Sequence, residues 1–399
     1  MTVTDKEEQS YTPEELVAMV LDHAKEITHA YGGEKGNTYG NIQDCVLTVP
    51  SFATQAERQA LIDAATLAEF NVLSLLDENT AAALHFGMDK MYEEPQLILF
   101  YNLGASSLQV SLVKFHTYEI PESKHSKKMK TVGSIEVLAK AWDSTLGGQE
   151  FDHRIVNYLA DHFNREWRHA RKHDKDIRDV PRAMTKLRLQ ANKIKHVLSA
   201  NNEIPVHMDS LHDDMTLSVH MSRPQLEELC ADLMERAVAP ITKVLSTAGV
   251  TMENVTAIEL IGGGMRVPKV QAELSKTLGE GFELGMHINS DESMALGASF
   301  FGANISTAFR VRHVGLTDVN PFTVGISLEN LPSDDEKKGL FGGKKKDDEE
   351  EGEAWTKKAT MFKSFGKVGV KKTIAFTHDQ DVHCALDYED SENLPQGTE

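Results

Sequence analysis

Residues 97–113 have the sequence LILFYNLGASSLQVSLV, in which two apolar runs are joined by a turn of small residues at 104–107. An apolar run followed by such a turn is typical of a strand that leads into a phosphate-binding loop, since small residues let backbone N–H groups approach an anion closely. The two runs carry amides, Asn102 and Gln109, at positions where a hydrolytic site would use carboxylates. The stretch therefore predicts a loop that holds phosphate rather than one that cleaves it.

A second stretch of the same kind lies at 255–274, VTAIELIGGGMRVPKVQAEL, where an apolar run is followed by three glycines and by a helix entered near Pro268. One glycine-rich turn alone is more often only a tight turn. Two of them, joined by the turn DSTLGGQEFD at 143–152, predict a two-lobed α/β fold around a nucleotide cleft. A Rossmann-type dinucleotide domain is less favoured, because no G-x-G-x-x-G stands between a strand and a helix.

The composition of the 399-residue chain limits its function. The chain is 40% hydrophobic and 26% charged, which is typical of a globular protein with two or more domains. Its net charge of −19 disfavours nucleic acid and anionic membranes as partners. Cys45, Cys230 and Cys384 form no C-x-x-C motif, so no zinc or redox site is predicted. No membrane span or signal peptide is recognisable, and on these residues alone the default compartment is the cytosol.

Capping signals place helices between the strands. Thr12, Pro13 and Glu15 predict a helix start, and Gly32 with Gly33 is expected to end that helix. Further predicted elements are strands at 45–52 and 71–76, a capping box of Thr54 and Glu57 that opens a helix to about Phe70, helical regions at 151–198 and 222–248 with strands between them, and an exposed basic insertion at 119–131.

The character of the chain changes after Phe309. Short β-like runs follow, then the charge-dense segment 334–353, and then an alternating β-type pattern over 358–390. A small β domain at 311–399 with a disordered charged insertion at 334–353 is the simplest interpretation.

Six stretches carry a more specific signal: VLTVPSFATQAERQALIDAATLAEFNVLSLLDENTAAALHFGMD, STLGGQEFDHRIVNYL, RAMTKLRLQANKIKHVLSANNE, ELCADLMERAVAPITKVLSTAG, ELIGGGMRVPKVQAEL and INSDESMALGASFFGA. Together they resemble the nucleotide-binding domain of the seventy-kilodalton heat-shock chaperone family over roughly residues 11–310. VLSAN, LEELCADL, DENTA and FYNLGASS resemble its large endoplasmic-reticulum branch, the hypoxia up-regulated or glucose-regulated relatives.

This resemblance implies an actin-like (ribonuclease H-like) two-lobed α/β ATPase domain at 1–310, followed by the start of a polypeptide-binding β-sandwich at 311–399. The family begins with a phosphate loop of the type D-L-G-T-x-x-S and a catalytic lysine, and nothing in residues 1–40 resembles them. We therefore expect the ATPase domain to lack its first part and the chain to be incomplete at both ends, as a fragment or as a truncated paralogue.

The family's functional positions are carried over residue by residue. Glu78 matches the carboxylate near the metal-bound waters, and Arg266 is expected to stack its guanidinium on the base. The nucleotide-binding positions are Gly104, Ala105, Ser106 and Ser107 in the first loop, Gly147 and Gly148 near the phosphates, Lys195 and Ser199 on the adenine-side helix, and Gly262, Gly263, Arg266, Val267 and Asp291 around the adenosine.

The chain departs from the active branches at several of these positions. Asn102 and Gln109 replace the two carboxylates that help to hold hydrated Mg²⁺ and accept a proton, and an amide does neither at neutral pH. Asn192 and His196 depart from the adenine-side pattern. We expect ATP or ADP to bind with Mg²⁺ held only indirectly and weakly, no metal bound by protein ligands, and hydrolysis that is weak or absent.

Two classes of function stay open. The first is an ATP-binding chaperone of the endoplasmic-reticulum lumen, a holdase for unfolded polypeptides and a nucleotide-exchange partner of the ordinary luminal chaperone. The second is a catalytically dead module that regulates a working chaperone without nucleotide. Sugar kinases and actin-like filament proteins share the fold, but neither needs the β-like tail after 310. Asn254-Val255-Thr256 fits the N-glycosylation pattern of a luminal protein.

Overall fold

The computed structural model describes residues 2–5, 7–34, 42–122, 127–279, 282–307, 310–330, 356–376, 382–389 and 394. The chain divides into two compact units, Met1–Leu316 and Thr317–Glu399. The charged segment 334–353, for which disorder is expected, lies outside the described residues.

The helices and strands of the first unit alternate along the chain. The strands are β1 (Thr2–Asp5), β2 (Glu7–Ser10), β3 (Asp44–Val49), β4 (Asn71–Asp77), β5 (Gln96–Leu103), β6 (Leu108–Pro121), β7 (Met129–Asp143), β8 (Glu203–His212), β9 (Met215–Ser222), β10 (Ala257–Ile261) and β11 (Leu284–Gly285), with β12 (Gly315–Thr317) at the boundary. The helices are α1 (Pro13–Glu34), α2 (Gln55–Leu67), α3 (Glu78–Gly87), α4 (Gly148–Arg171), α5 (Pro181–Ala200), α6 (Arg223–Leu229), α7 (Ala231–Ala248), α8 (Pro268–Leu278) and α9 (Ser293–Ile305).

A six-stranded mixed sheet in the order β11-β10-β5-β6-β7-β12 organises this unit. Strand β5 pairs parallel with β10 and antiparallel with β6, so that Asn102 lies opposite both Ile261 and Gln109. Because parallel strands end at the same edge of a sheet, the small-residue loop after β5 and the glycine loop after β10 lie side by side. The two apolar runs of 97–113 thus form the paired strands that their sequence predicts.

One face of the sheet holds the largest core. Side chains of β5 and β6 pack there against α4, α5 and α7, and α4 contributes Phe151, Ile155, Leu159 and Phe163 at helical spacing. The hydroxyl of Tyr101 donates to the carbonyl of Ala237 over 2.8 Å, and burial raises the pKa of that phenol. Since side chains alternate along a strand, Asn102 and Gln109 point to the opposite face.

The opposite face is covered by α3, and α9 packs on α3 and on β3. The rings of Phe86, Phe100 and Phe115 pack together beneath α3. Helix α9 crosses α3 so closely that a Cβ at Gly297 would lie 1.9 Å from the carbonyl oxygen of Ala81. Glycine is therefore required at this crossing. Glu78 is the first residue of α3, so the crossing also fixes the helix that carries Glu78.

Two predicted helix ends are wrong. Helix α1 continues through Gly32 and Gly33 to Glu34, because a glycine inside a helix costs only about 1 kcal/mol relative to alanine and does not forbid the conformation. Helix α2 ends at Leu67, before the expected Phe70, since Glu69 adopts a left-handed backbone with φ of 59°. The capping box that opens α2 is confirmed.

The described residues of the predicted insertion at 119–131 are mostly exposed, as expected. Both ends of the segment are strand, because β6 extends to Pro121 and pairs there with Met129 of β7. Residues 123–126 lie outside the described residues.

The second unit contains a three-stranded antiparallel sheet. Its strands are β13 (Val324–Asn330), β14 (Thr356–Phe362) and β15 (Val382–Tyr388), in the order β14-β13-β15. Phe322 packs its ring edge-on against Tyr388 with centroids 5.2 Å apart. Across the described parts of both units, the helices are all too short or too polar to cross a bilayer.

Candidate functional site

The loop after β5 is closed by its own backbone. The N–H of Gly104 donates to the carbonyl of Ser107 over 2.9 Å, which brings the ends of the loop together. Ala105 and Ser106 are exposed, and within the described chain their N–H groups donate no hydrogen bond. The loop therefore presents two adjacent backbone donors to solvent, the arrangement that binds an anion such as phosphate.

The N-terminus of α4 is fastened to this loop. The N–H groups of Gly148 and Gln149 donate to the carbonyls of Gly104 (3.0 Å) and Ala105 (2.8 Å). A Cβ at Gly147 would lie 2.4 Å from the carbonyl carbon of Ala105, so only glycine allows this approach. The glycine pair assigned to the phosphates thus also joins two loops of the site.

A bidentate ion pair fixes the turn that leads into α4. Nε and Nη2 of Arg236, on α7, each donate to Asp143 over 2.8 Å. Thr145 donates to the same carboxylate through its N–H and its hydroxyl, both over 3.0 Å. Although burial opposes the effect, these hydrogen bonds hold the pKa of Asp143 below its usual value. The charged carboxylate anchors the turn to α7.

Lys195 of α5 reaches the same place from the other side. Its ammonium donates to the carbonyl of Gly148 over 2.9 Å and to Oδ2 of Asp152 over 2.8 Å. Asn192 donates to the same Oδ2 over 3.1 Å, while Oδ1 of Asp152 is buried and has no partner among the described residues. The Ser199 hydroxyl donates to the carbonyl of Lys195 over 2.9 Å, within its own helix. Asp152 therefore uses one oxygen to join α4 to α5 and keeps the other buried without a partner in the described chain.

The glycine loop after β10 completes this edge. Gly262 has φ of +87°, and a Cβ there would lie 2.3 Å from the carbonyl oxygen of Leu103. A Cβ at Gly263 would meet no atom within 4 Å, so the backbone there borders open space. Arg266 and Asp291 face each other at 3.9 Å, and both side chains are exposed. Val267, in contrast, is buried at the start of α8.

Glu78, Asn102 and Gln109, the three positions that the resemblance matches to family carboxylates, meet at the sheet face below α3. Nε2 of Gln109 donates to Oε2 of Glu78 over 2.6 Å, and Oε1 of Gln109 accepts the N–H of Ser51 over 2.8 Å. Asn102 also hydrogen-bonds to Glu78. Burial raises the pKa of Glu78, the neighbouring Asp77 adds to the rise, and the two amides oppose it. The side-chain amides of Gln109 and Asn102 therefore hold the Glu78 carboxylate in place.

A buried ion triad lies directly behind Glu78. Lys140 donates to Oδ2 of Asp77 over 2.5 Å, and Arg58 donates to Oδ1 over 3.0 Å. Lys140 is 1% exposed and Asp77 is 5% exposed. Burial works against ionisation, but the Lys140 ammonium and the Arg58 guanidinium hold the pKa of Asp77 below its usual value. The triad is charged, and it makes the floor of the site rigid.

The donors present do not fit Mg²⁺. Magnesium prefers carboxylate and water oxygens, whereas two of the three side chains here are amides whose donors face Glu78. In the part of the chain that the structure describes, no group of three His, Cys, Asp or Glu side chains is arranged to hold a metal ion. A nucleotide fits better, since the free N–H groups of Ala105 and Ser106 and the space beside Gly263 border one edge.

Four residues that the sequence did not predict hold the site residues in place. Ser51, Asp77, Lys140 and Asp152 all bind predicted site residues or their neighbours. Lys140 alone carries a signal, because it interrupts the apolar run from Val137 to Trp142 and a lysine in a buried strand needs a partner. Ser51 lies in a turn, Asp77 at the N-cap of α3 and Asp152 near the start of α4, where polar residues are expected.

Two neighbouring loops at the ends of β5 and β10, on a mixed sheet with helices on both faces, define an α/β protein of the actin-like class. Residues 1–335 match the model of the Hsp70 protein family. This chain belongs to the Hsp70 family, whose ATPase domain has the actin-like two-lobed fold and binds ATP and ADP with Mg²⁺.

Individual relatives show the same likeness. Hypoxia up-regulated protein 1 of Xenopus tropicalis is 36% identical over 338 residues, 84% of this chain and 50% of that protein. The human protein of that name is 34% identical over 381 residues, 94% of this chain and 35% of the relative. Heat shock 70 kDa protein 17 of Arabidopsis thaliana is 34% identical over 392 residues, 97% and 41% of the two chains. The chain thus spans half or less of the length of these relatives.

Proposed function

We propose that this chain holds ATP or ADP at the edge formed by the loops at 104–107, 147–148 and 262–263, and hydrolyses ATP weakly or not at all. The observation that carries the proposal is that Glu78, the remaining carboxylate of the family's catalytic set, is bound by the amides of Asn102 and Gln109. Fixed amides occupy the oxygens of this carboxylate, which makes it a poor contact for hydrated Mg²⁺, and the amides themselves supply no negative charge and accept no proton at neutral pH. Any Mg²⁺ would therefore be held indirectly and weakly.

The wider role that we propose is that of an endoplasmic-reticulum chaperone. Its clients would be unfolded polypeptides, and it would serve as a holdase and as a nucleotide-exchange partner of the ordinary luminal chaperone. Membership of the Hsp70 family and the likeness to proteins named hypoxia up-regulated protein 1 support this role. Asn254, in its glycosylation pattern, is exposed, which is compatible with a luminal environment.

A regulatory module that needs no nucleotide is the second candidate. It is favoured by the internal bonding of the site, because Lys195 is already paired with Asp152 and the N-terminus of α4 with the loop at 104–107. Such a site keeps its shape without a ligand. The exposed N–H groups of Ala105 and Ser106 favour the nucleotide-holding role instead.

Titration of the 399-residue chain with a fluorescent ADP analogue, followed by displacement with ATP, separates the two candidates. We expect saturable, displaceable binding together with no turnover in a single-turnover ATPase assay. Absence of binding by the folded chain would leave the regulatory module as the better account. Robust hydrolysis would contradict the role given to the two amides.

A further inference from the structure

A buried carboxylate that plays no part in the proposed nucleotide contacts lies one strand away from them. Glu259, in the middle of β10, has a side chain that is only 1% exposed. Both of its oxygens accept hydrogen bonds from a single residue, His287, which follows β11. Nδ1 of His287 lies 2.6 Å from Oε1, and the N–H of His287 donates to Oε2 over 3.1 Å.

The chain makes room for this pair. A Cβ at Gly285 would lie 2.6 Å from the carbonyl oxygen of Ile258, 2.8 Å from Oε1 of Glu259 and 3.0 Å from Nδ1 of His287. Any side chain at Gly285 would occupy the space through which His287 reaches the carboxylate. Glu259, Gly285 and His287 therefore form one unit, which we call the β10 clamp.

The β10 clamp holds the β11 end of the loop at 286–292, whose other end is fixed by α9. Strand β11 pairs with β10 at only two positions, Ile258 with Leu284 and Glu259 with Gly285. The loop at 286–292 then leads to α9, and within it Asn289 accepts the N–H of Asp291 over 3.0 Å. A strand with only two paired positions is held weakly. The two hydrogen bonds from His287 to Glu259 therefore add substantially to the contacts that fix β11 on β10.

The far end of this loop belongs to the proposed site. Asp291 faces Arg266, which follows the glycine loop at the end of β10. Both groups are exposed and 3.9 Å apart, so their direct attraction is too weak to hold the loop in place. The position of Asp291 relative to Arg266 therefore depends on how the loop is attached at its two ends, through the β10 clamp on one side and through α9 on the other.

We infer that Glu259 and His287 are positioning residues, which set the distance between Asp291 and Arg266 and thereby the affinity for the adenosine part of a nucleotide. The inference rests on the proposed nucleotide-holding function. Lys90 and Tyr92 are the other titratable groups that face Glu259; burial lowers the pKa of Lys90 and raises that of Tyr92. Neither takes the place of His287, whose two hydrogen bonds account for both carboxylate oxygens.

Two amide substitutions at one position test the inference. Asparagine places its amide nitrogen where Nδ1 of histidine stands, whereas the longer glutamine does not. In the full chain, His287→Asn is expected to bind the ADP analogue as the unmodified protein does, and His287→Gln about tenfold more weakly. Hydrogen exchange of the amides at 286–293 is expected to quicken in His287→Gln alone. His207→Gln is the control, because His207 forms an exposed pair with Asp209 over 3.0 Å outside the site.

The outcomes separate this inference from the function on which it rests. Equal affinity and equal exchange in the Asn and Gln variants would overturn the positioning role, whether both match the unmodified chain or both are impaired. If the unmodified chain binds no nucleotide while exchange still quickens in His287→Gln alone, the β10 clamp is supported as an anchor and the nucleotide function fails. A thermal midpoint shared by all variants shows that the comparison concerns folded protein.

Discussion

Gln109 uses both ends of its amide: Nε2 donates to Glu78 over 2.6 Å, and Oε1 accepts the N–H of Ser51 over 2.8 Å. A carboxylate at this position accepts hydrogen bonds but donates none when ionised. Only an amide at position 109 can both donate to Glu78 and accept from Ser51, so Gln109 has a structural role of its own. Glu78, Gln109 and Ser51 form one continuous chain of hydrogen bonds across the site.

Replacing the amide by the acid of equal size should destabilise the fold. Gln109→Glu places a carboxylate against Glu78 in a buried setting, at a cost of about 3 kcal/mol in unfolding free energy near neutral pH. The cost should shrink at pH 5, where one of the two carboxyls is protonated and donates to the other. Urea unfolding at pH 5 and pH 8 measures both values.

The matched control is Gln59→Glu. Gln59 donates to Asp63 over 2.8 Å on the exposed side of α2, so the same chemical change is made in water. We expect a loss of less than about 0.5 kcal/mol there. Equal losses at positions 59 and 109 would show that burial of the Gln109 bridge is not what matters.

Restoring the family's carboxylates should not restore hydrolysis in this chain. Neither Asn102→Asp nor Asn102→Asp with Gln109→Asp changes how the γ-phosphate is positioned, and positioning is worth on the order of 7–11 kcal/mol of barrier. Single-turnover ATPase assays of both variants measure this. A burst of phosphate from the double variant would mean that Glu78 and the described loops suffice for catalysis.

The buried pair of Asp77 and Lys140 should behave as a unit. Asp77→Asn or Lys140→Met leaves one charge buried without its main partner and should cost about 3–5 kcal/mol each. The double variant should cost less than the sum by about 2 kcal/mol, measured by a double-mutant cycle in urea. Lys269 and Glu273, a partly exposed pair 3.2 Å apart on α8, form the control cycle, for which a coupling of about 0.5 kcal/mol is expected.

Glu78 and Asp77 should affect stability in opposite pH ranges. Because the pKa of Glu78 is raised by burial, its cost to the folded state appears as pH rises above the ordinary glutamate value of about 4.3 and is complete above the raised pKa. Glu78→Gln should therefore stabilise the protein at pH 8, by about 1 kcal/mol, and less at pH 4.5. The contribution of Asp77, whose pKa is lowered, is present above about pH 4 and is lost only in stronger acid.

Thermal unfolding of Glu78→Gln across this pH range is the measurement, with Glu166→Gln on the exposed side of α4 as the control. A stabilisation that is the same at pH 4.5 and pH 8 would contradict the raised pKa of Glu78. A loss of stability at both would mean that the negative charge is needed by its amide partners.

The junction of two loops at Gly147 should tolerate no side chain. Gly147→Ala puts a methyl group 2.4 Å from the backbone of Ala105 and should cost about 1–3 kcal/mol while displacing the N-terminus of α4. Gly32→Ala, at a helix position with no atom within 4 Å, should instead be neutral or slightly stabilising. Thermal midpoints decide the matter, and an undisturbed Gly147→Ala variant would show that the two loops separate freely.

Hydrophobic periodicity and capping residues predicted much of the fold, because both signals lie within a few neighbouring positions of the sequence. The two strands of 97–113, the Thr54 capping box and the strand-glycine-helix order around 262–268 follow from neighbours in sequence. The pairing of β5 with β10 is different, since it joins residues about 160 positions apart and no local pattern indicates it. The predicted helix end at Gly32 and Gly33 was wrong, because the low helix propensity of glycine is a small cost that does not stop the helix.

The residues that hold the site in place could not be predicted from the sequence for a related reason. A side chain that bonds across 31 or 63 positions, as Gln109 does to Glu78 and Lys140 does to Asp77, leaves no local pattern. Sequence shows which residues depart from a catalytic set. The structure shows what those residues do instead.

The crossing of α3 and α9 bears on how variants of this chain would be interpreted. Gly297 meets Ala81 backbone to backbone, so a replacement has no flexible side chain to push aside and must drive the two helices apart. Glu78 begins one of those helices. In a saturation survey of single substitutions, position 297 should therefore score as intolerant as a residue of the site itself, and an inherited change there would resemble a site defect although no ligand contact is lost.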